Sequence, residues 1–271
     1  IPTKTAVLKN MEEWEIILPL PAVPFSCVRV ELSNKYDRIA HETNESQIEP
    51  TWQAALARSP GIFNGTKFRF SSAARSSGSG DVTVRLGLTD YKSFLGTNMS
   101  DDWQTLLKDG SDHEGACDPA CFLANPLGNG AIVETTDGKI LLLQRSADLA
   151  EAPGMVVFPG GHAEPGKLTG VQPSSAEVTH ELADSILREV VEETGVAMES
   201  LGEARLLGFC RRTKNHRPDY FVLVHCSLHS AEILSNYNKG NVQDRFESKE
   251  LILVDATELA QKLRTVSMPG C

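Results

Sequence analysis

Arg188-Glu189-Val190-Val191-Glu192-Glu193-Thr194-Gly195-Val196, read with Pro159-Gly160-Gly161-His162-Ala163-Glu164-Pro165-Gly166 upstream of it, decides how this chain folds. Ser174 and Glu177 have capping-box spacing and Gly195 offers a left-handed stop, so the sequence predicts a helix over residues 174–194. At about 100° per residue, Glu181, Glu189, Glu192 and Glu193 fall within roughly a third of its circumference. Leu182, Ala183, Ile186, Leu187, Val190 and Val191 fill the adjoining arc. One side of the helix therefore packs a core while the other concentrates negative charge. Like charges three or four residues apart cost a helix about 0.2–0.5 kcal/mol per pair. Divalent cations offset that cost, because hard cations take carboxylate oxygens and keep water or phosphate oxygens in their shell. A solvated acidic face held by surface salt bridges is the plain reading of such a pattern standing alone.

Outward from the helix, the pattern is one of short strands. Runs at 130–134 and 139–144 are joined through Asp137-Gly138, a strong hairpin signal. Further strands are expected at 155–158, 204–211, 220–228 and 251–254, with a helix at 256–264. Upstream, helices are expected at 51–57 and from Met99 onward. Strands at 67–70 and 82–86 flank the small polar segment 71–81, which reads as a hairpin loop. The polar stretch 108–119 marks a boundary, giving an N-terminal α+β extension over 1–118 and a second domain over 119–271. Strands and helices mixed in this way predict an α+β layered sandwich.

Composition narrows the class. A chain of 271 residues with 41% apolar and 23% charged side chains is an ordinary soluble globular sequence. Its net charge of −10 weighs against broad nucleic-acid or anionic-membrane binding, both of which favour basic surfaces. Cysteines are dispersed, and Cys117 with Cys121 makes a lone C-x3-C with no second pair. Free thiols in a reducing, cytoplasmic setting are the expectation, and no signal peptide is visible. The apolar stretch 16–30 is interrupted by Pro19, Pro21, Pro24 and Arg29 and falls short of the roughly 20 apolar residues of a spanning helix. Residues 1–50 either complete an N-terminal sheet or wrap the surface.

The segment 188–196 resembles the second half of the Nudix signature, R-E-U-x-E-E-x-G-U with U aliphatic, at every fixed position. Gly160-Gly161-x-x-Glu164-x-Gly166 resembles its first half. The resemblance implies an α/β/α sandwich with a mixed sheet, dependence on Mg²⁺ with Mn²⁺ as a substitute, and hydrolysis of nucleoside diphosphates linked to another group. It makes Glu189, Glu193 and Glu192 the metal-holding and catalytic carboxylates, with Arg188 orienting one of them. One departure stands out. The usual box places a glutamate six positions after its second glycine and eight before its arginine, and here those counts fall on Lys167 and His180. Residues 168–180 read as an insertion, with Glu181 as a compensating carboxylate. Glu247 is the expected catalytic base, with Glu250 next.

Segments 61–67, 86–98, 150–154 and 160–164 look like the uridine-diphosphate glucose pyrophosphatase subgroup of Nudix enzymes. That likeness implies substrate contacts from Phe63, Tyr91, Arg145, Ala150, His162 and Glu164. Val157 stands where these relatives can carry an acid. The basic run 211–217 is expected to be a solvated hairpin loop rather than a phosphate clamp. The expected reaction takes a small-molecule nucleoside-diphosphate sugar, UDP-glucose or UDP-galactose, and water to UMP and sugar 1-phosphate. ADP-ribose or a dinucleotide polyphosphate is the alternative substrate, and a catalytically silent nucleotide-sugar-binding scaffold is the rival of another class.

Overall fold

The computed structural model describes residues 14–146, 154–168, 173–240 and 248–265. Strands β1 (Trp14–Pro24) and β2 (Val28–Leu32) precede helix α1 (Glu45–Arg58). The hairpin β3 (Thr66–Arg75) and β4 (Val82–Asp90) leads into α2 (Tyr91–Gly96) and α3 (Trp103–Ser111). Then come β5 (Gly128–Glu134), β6 (Lys139–Arg145), β7 (Val156–Val157) and the long helix α4 (Ser175–Thr194). The chain ends through β8 (Arg205–Arg212), β9 (Pro218–His225), α5 (Ser230–Asn238), β10 (Ser248–Asp255) and α6 (Leu259–Leu263).

These strands form two sheets. The larger runs β1-β8-β9-β5-β6-β10 with β7 on β6, and only β5 and β9 are parallel neighbours in it. The smaller runs β2-β4-β3, with β2 and β4 parallel. Helix α4 packs between them. Its Val178, Leu182, Ile186 and Val190 share one buried cluster with Ala131, Leu141 and Val222 of the large sheet and Val30, Phe68 and Val84 of the small one. Val30 N also donates to Thr179 Oγ1 at 3.3 Å, tying β2 directly to the helix. On the other face of the large sheet, Leu142, Val156 and Val254 pack against Leu259 and Leu263 of α6. Helices on both faces of a mixed sheet make the α/β/α sandwich expected from the sequence.

The boundaries of α4 follow its caps. Ser174 and Glu177 form the reciprocal capping box, and Gly195 takes φ 71°, the left-handed conformation that glycine adopts without a Cβ penalty. Four elements were not legible beforehand: the short helix α2, helix α5, capped by His229, and strands β1 and β2. Three prolines argue against a strand, yet β1 is the outermost strand of the large sheet, with register shifts after Ile16 and Pro19. Prolines survive at an edge or bulge because no ladder donor is lost there. Residues 14–24 therefore join the large sheet. Among the described residues no helix is long and apolar enough to cross a membrane.

The basic run corrects the sequence reading. Asn215, His216 and Arg217, expected in a solvated loop, are only 7–9% exposed. The N-terminal layer covers them: Asn98 Nδ2 donates to Asn215 O at 2.9 Å and to Asn125 Oδ1 at 2.8 Å. His216, in the left-handed region at φ 60°, meets Arg211 Nη1 at 2.9 Å and Asn125 Oδ1 at 3.4 Å. Burial and the Arg211 guanidinium push its imidazole down to about 4. A second anchor is Arg69, fully buried, which donates to Leu123 O, Tyr36 O and Ala120 O and makes a two-pronged pair with Asp118.

Two outcomes follow from these buried groups. Arg69→Met strands the Asp118 carboxylate and three carbonyls, and chemical denaturation should show a loss of about 3–5 kcal/mol. His216 stays neutral in the fold while its unfolded counterpart titrates near 6.5. Its contribution is therefore complete above that pH and is lost progressively as pH falls from 6.5 towards 4, by up to about 3 kcal/mol. His216→Asn, which tolerates the same backbone conformation, should flatten the urea midpoint over that window relative to wild type.

Candidate active site

The site is built where the turn after β7 passes beneath the C-terminal half of α4. A Cβ at Gly160 would lie 2.2 Å from Asn129 O, and one at Gly161 would lie 2.0 Å from Glu189 Oε1. Only two successive glycines let the backbone come so close to both strand and helix. Asn129 on β5 then clamps the turn: its N donates to Gly161 O at 2.9 Å and its Oδ1 accepts from Gly161 N at 2.7 Å. Its Nδ2 donates to Ser185 Oγ and Tyr220 Oη at 3.3 Å each, and Tyr220 Oη donates to Leu182 O at 2.6 Å. The turn, the sheet and the helix are thereby held in one register.

The helix carboxylates close on the same turn. Glu193, 5% exposed, accepts from Gly160 N at 2.9 Å, and Glu189 Oε1 accepts from His162 N at 3.3 Å. Glu181 Oε1 takes Glu164 N at 3.0 Å and Arg188 Nη2 at 2.7 Å. Arg188 thus orients a carboxylate, and the one it orients is Glu181. A pocket between turn and helix is lined by His162, Glu164, Lys167, Arg188, Glu189 and Glu192. Lys167, where the usual box carries a glutamate, stands 3.8 Å from Glu164 Oε2. Burial, then the cations of Arg217, Lys67 and Arg212, hold His162 well below the usual imidazole range. At neutral pH it offers one ring donor and one ring acceptor.

The sequence-predicted residues divide. His162, Glu164, Glu189 and Glu192 converge on the pocket, and Glu193 holds its turn. Phe63 is 78% exposed, so core packing is not its role. Tyr91 sits edge-on to Trp52 with centroids 6.2 Å apart, and its N donates to Gly65 O at 3.1 Å, which joins the Phe63 loop to the Tyr91 helix. Arg145 ends β6, its N donating to Met155 O at 2.8 Å, and stands opposite Ser248 of β10. Ala150 and Glu247 lie outside the described residues. Glu250 is exposed on β10 opposite Gln144. Sequence reasoning passed over Asn129 and Lys67. The first carried a signal, a polar residue between Gly128 and Gly130 just ahead of the apolar run 131–133; the second carried none.

Among the described residues no three carboxylate, imidazole or thiol groups close on one point as a finished metal cage. A hard divalent cation does not need one, since it keeps water and phosphate oxygens and takes one or two protein carboxylates. The all-oxygen donor set of Glu189, Glu192 and Glu193, beside a turn whose Cβ-free face leaves room for Glu189, fits such an ion.

A family model, the NUDIX domain, matches residues 125–266 of the sequence. The chain belongs to the Nudix family. This Nudix chain is 38% identical to Nudix hydrolase 9 of Arabidopsis thaliana over 95% of its own length and 87% of that protein's. It is 35% identical to uridine diphosphate glucose pyrophosphatase NUDT22 of Bos taurus, covering 94% of this chain and 91% of that one. The Homo sapiens protein of the same name is 34% identical, over 93% and 86%. Among solved structures, a NUDIX hydrolase from Nitrosomonas europaea aligns at 20% identity with a TM-score of 0.35, covering 53% of this chain and 80% of that one.

The two glycines of this Nudix turn should respond differently to alanine. At Gly161 the new methyl meets the far end of a flexible side chain, so Glu189 moves and the fold stays. Gly161→Ala should keep its melting temperature and lose about 100-fold in turnover, the scale of an ångström-sized misplacement. Gly160→Ala meets the backbone of Asn129 and should lose stability as well, which a thermal melt of both variants checks.

Proposed function

We propose that this chain is a Mg²⁺-dependent Nudix hydrolase that cuts the pyrophosphate bond of a UDP-sugar, UDP-glucose or UDP-galactose, to give UMP and sugar 1-phosphate. The observation that carries the reading is the docking of Glu189 and Glu193 onto the Gly160-Gly161 turn beside a polar pocket. Kinship over nearly the whole chain with proteins named uridine diphosphate glucose pyrophosphatase supports the choice of substrate. Nudix hydrolases generally work with a divalent metal, and Glu189, Glu192 and Glu193 would hold Mg²⁺, or Mn²⁺ in its place. When bound, the ion supplies charge neutralisation of the diphosphate and a water of lowered pKa.

The chain's own groups do the rest. His162, neutral and half-buried, and Glu164 hydrogen-bond hydroxyls at the mouth of the pocket. Arg145 pairs with a phosphate oxygen, and Ala150 is a further substrate contact. Phe63 and Tyr91 cover the base from the N-terminal region, so residues 1–118 form an extension that contributes to binding and 119–271 the hydrolase domain. Exposed aromatic surface on Phe63 suits that task, since burying such a ring is worth about 1.5–3 kcal/mol. Glu247, just ahead of β10, is the base we favour, with Glu250 close behind.

Phosphate release through a coupled phosphatase tests the reading with UDP-glucose, UDP-galactose, ADP-ribose, ADP-glucose and diadenosine polyphosphates. Metal-dependent turnover confined to the uridine sugars is the expected result; preference for an adenine substrate overturns the substrate. Glu189→Gln should lower kcat by at least about 100-fold with the melting temperature kept, and an unchanged rate removes Glu189 from the chemistry.

A further inference from the structure

Lys67 leaves β3 on the face opposite the core-packing Phe68 and Phe70. The strand runs beside the segment entering β5: Leu127 N donates to Phe68 O at 2.9 Å and Phe70 N to Asn125 O at 3.0 Å. Gly128, next along, is bridged to His162, and a Cβ there would come within 2.8 Å of Arg217 Nη2. Lys67 thus approaches this side of the turn from the N-terminal sheet, near enough for Glu164, Glu189 and Arg217 to act on its ammonium. Its ammonium is half-buried, and among the described residues it makes neither a hydrogen bond nor a close ion pair. Its cross-strand neighbour does not hold it either, because Thr89 Oγ1 is buried without a hydrogen-bond partner.

A cation taken partly out of water and left short of a contact is unfavourable unless something else meets it. Burial lowers the Lys67 ammonium from its ordinary value, and the fields of Glu164 and Glu189 only partly oppose that. A structural counter-ion would close on Glu164, as Lys167 does at 3.8 Å. Among the described residues Lys67 pairs with neither carboxylate, which leaves its charge for an anionic oxygen. Lysine is a compact charge on a rotatable stem, able to follow a flexible diphosphate.

We propose that Lys67 is a phosphate-contacting residue, its ammonium closing onto a nonbridging oxygen of the substrate's diphosphate as that group crosses the pocket of His162, Glu164 and Glu189. The assignment rests on the pyrophosphatase reading of the same site and adds to it a contact supplied by the N-terminal sheet. Charge-assisted contacts of this kind change affinity by roughly 10- to 100-fold when removed.

Calorimetric binding of UDP, ADP and uridine to wild type, Lys67→Met and Lys67→Arg tests it, with EDTA and again with Mg²⁺. Lys67→Met should weaken UDP by at least 10-fold, leave uridine unchanged and melt no lower than wild type, because a buried ammonium has been removed. Lys67→Arg should recover most of the UDP affinity. Equal UDP binding by wild type and Lys67→Met overturns the proposal, as does equal weakening of UDP and uridine. So does a wild type that fails to distinguish UDP from uridine in either buffer. A fall in melting temperature with no recovery in Lys67→Arg would make Lys67 structural and also overturn it. Tighter binding of ADP than UDP, still dependent on Lys67, would overturn the uridine reading and leave this contact standing.

Discussion

The missing side chain at Gly161 is the constraint on which the site depends. It lets the turn after β7 approach α4 until Glu189 occupies the place a methyl group would fill. Because that approach is so close, the phase of the helix, the length of the turn and the position of Asn129 must all agree. Gly160 fixes the turn against β5, Asn129 reads both polar atoms of Gly161, and Tyr220 carries the same network back to Leu182 of the helix. The repulsion built into a row of glutamates is partly answered by the turn itself, which presents backbone N–H groups to Glu181, Glu189 and Glu193. Arg188 supplies the remaining charge, spent on the glutamate furthest from the signature's end.

The N-terminal region is locked to the site rather than tethered to it. One hydrophobic cluster joins both sheets through α4, and β1 belongs to the large sheet outright. Arg69 and Asp118 pin β3 to the segment that enters β5, while Asn98 and Asn125 cover the hairpin carrying Arg217. The loops bearing Phe63 and Tyr91 are bonded to each other, Tyr91 N to Gly65 O and Lys92 N to Asn64 Oδ1. Loops cross-linked in this way lose little backbone freedom on meeting a ligand, which is the physical basis of preorganised binding.

What the sequence disclosed was whatever lies within one element. The capping box, the glycine stop and the two-faced character of α4 depend on spacings of three or four residues, so they are visible in the string. The pocket residues next to the glycines were visible for the same reason. Arg69 was not, because its partners Tyr36, Asp118, Ala120 and Leu123 lie far from it in the chain; Lys67 carries no local pattern, and Asn129 only its polarity between two glycines. The segment 211–217 misled for a related reason: its polarity announces solvent, while its actual partners are Asn98 and Asn125. β1 was hidden by prolines that are tolerated only because the strand ends up at an edge, a fact of tertiary structure.

Those prolines also bear on how the protein is made. Glu15 pairs with Arg211, a separation of 196 residues, so β1 is synthesised long before the strand it completes. At ordinary elongation rates the wait lasts roughly 10–40 s. During it an apolar strand with Trp14 and Ile16 has no sheet to join, the situation in which nascent chains pair with one another. Pro19, Pro21 and Pro24 remove donors from that strand and break its regular ladder, so a second copy finds a poor template. The irregularity that obscures β1 in the sequence thus also makes it a poor pairing template while it waits for β8.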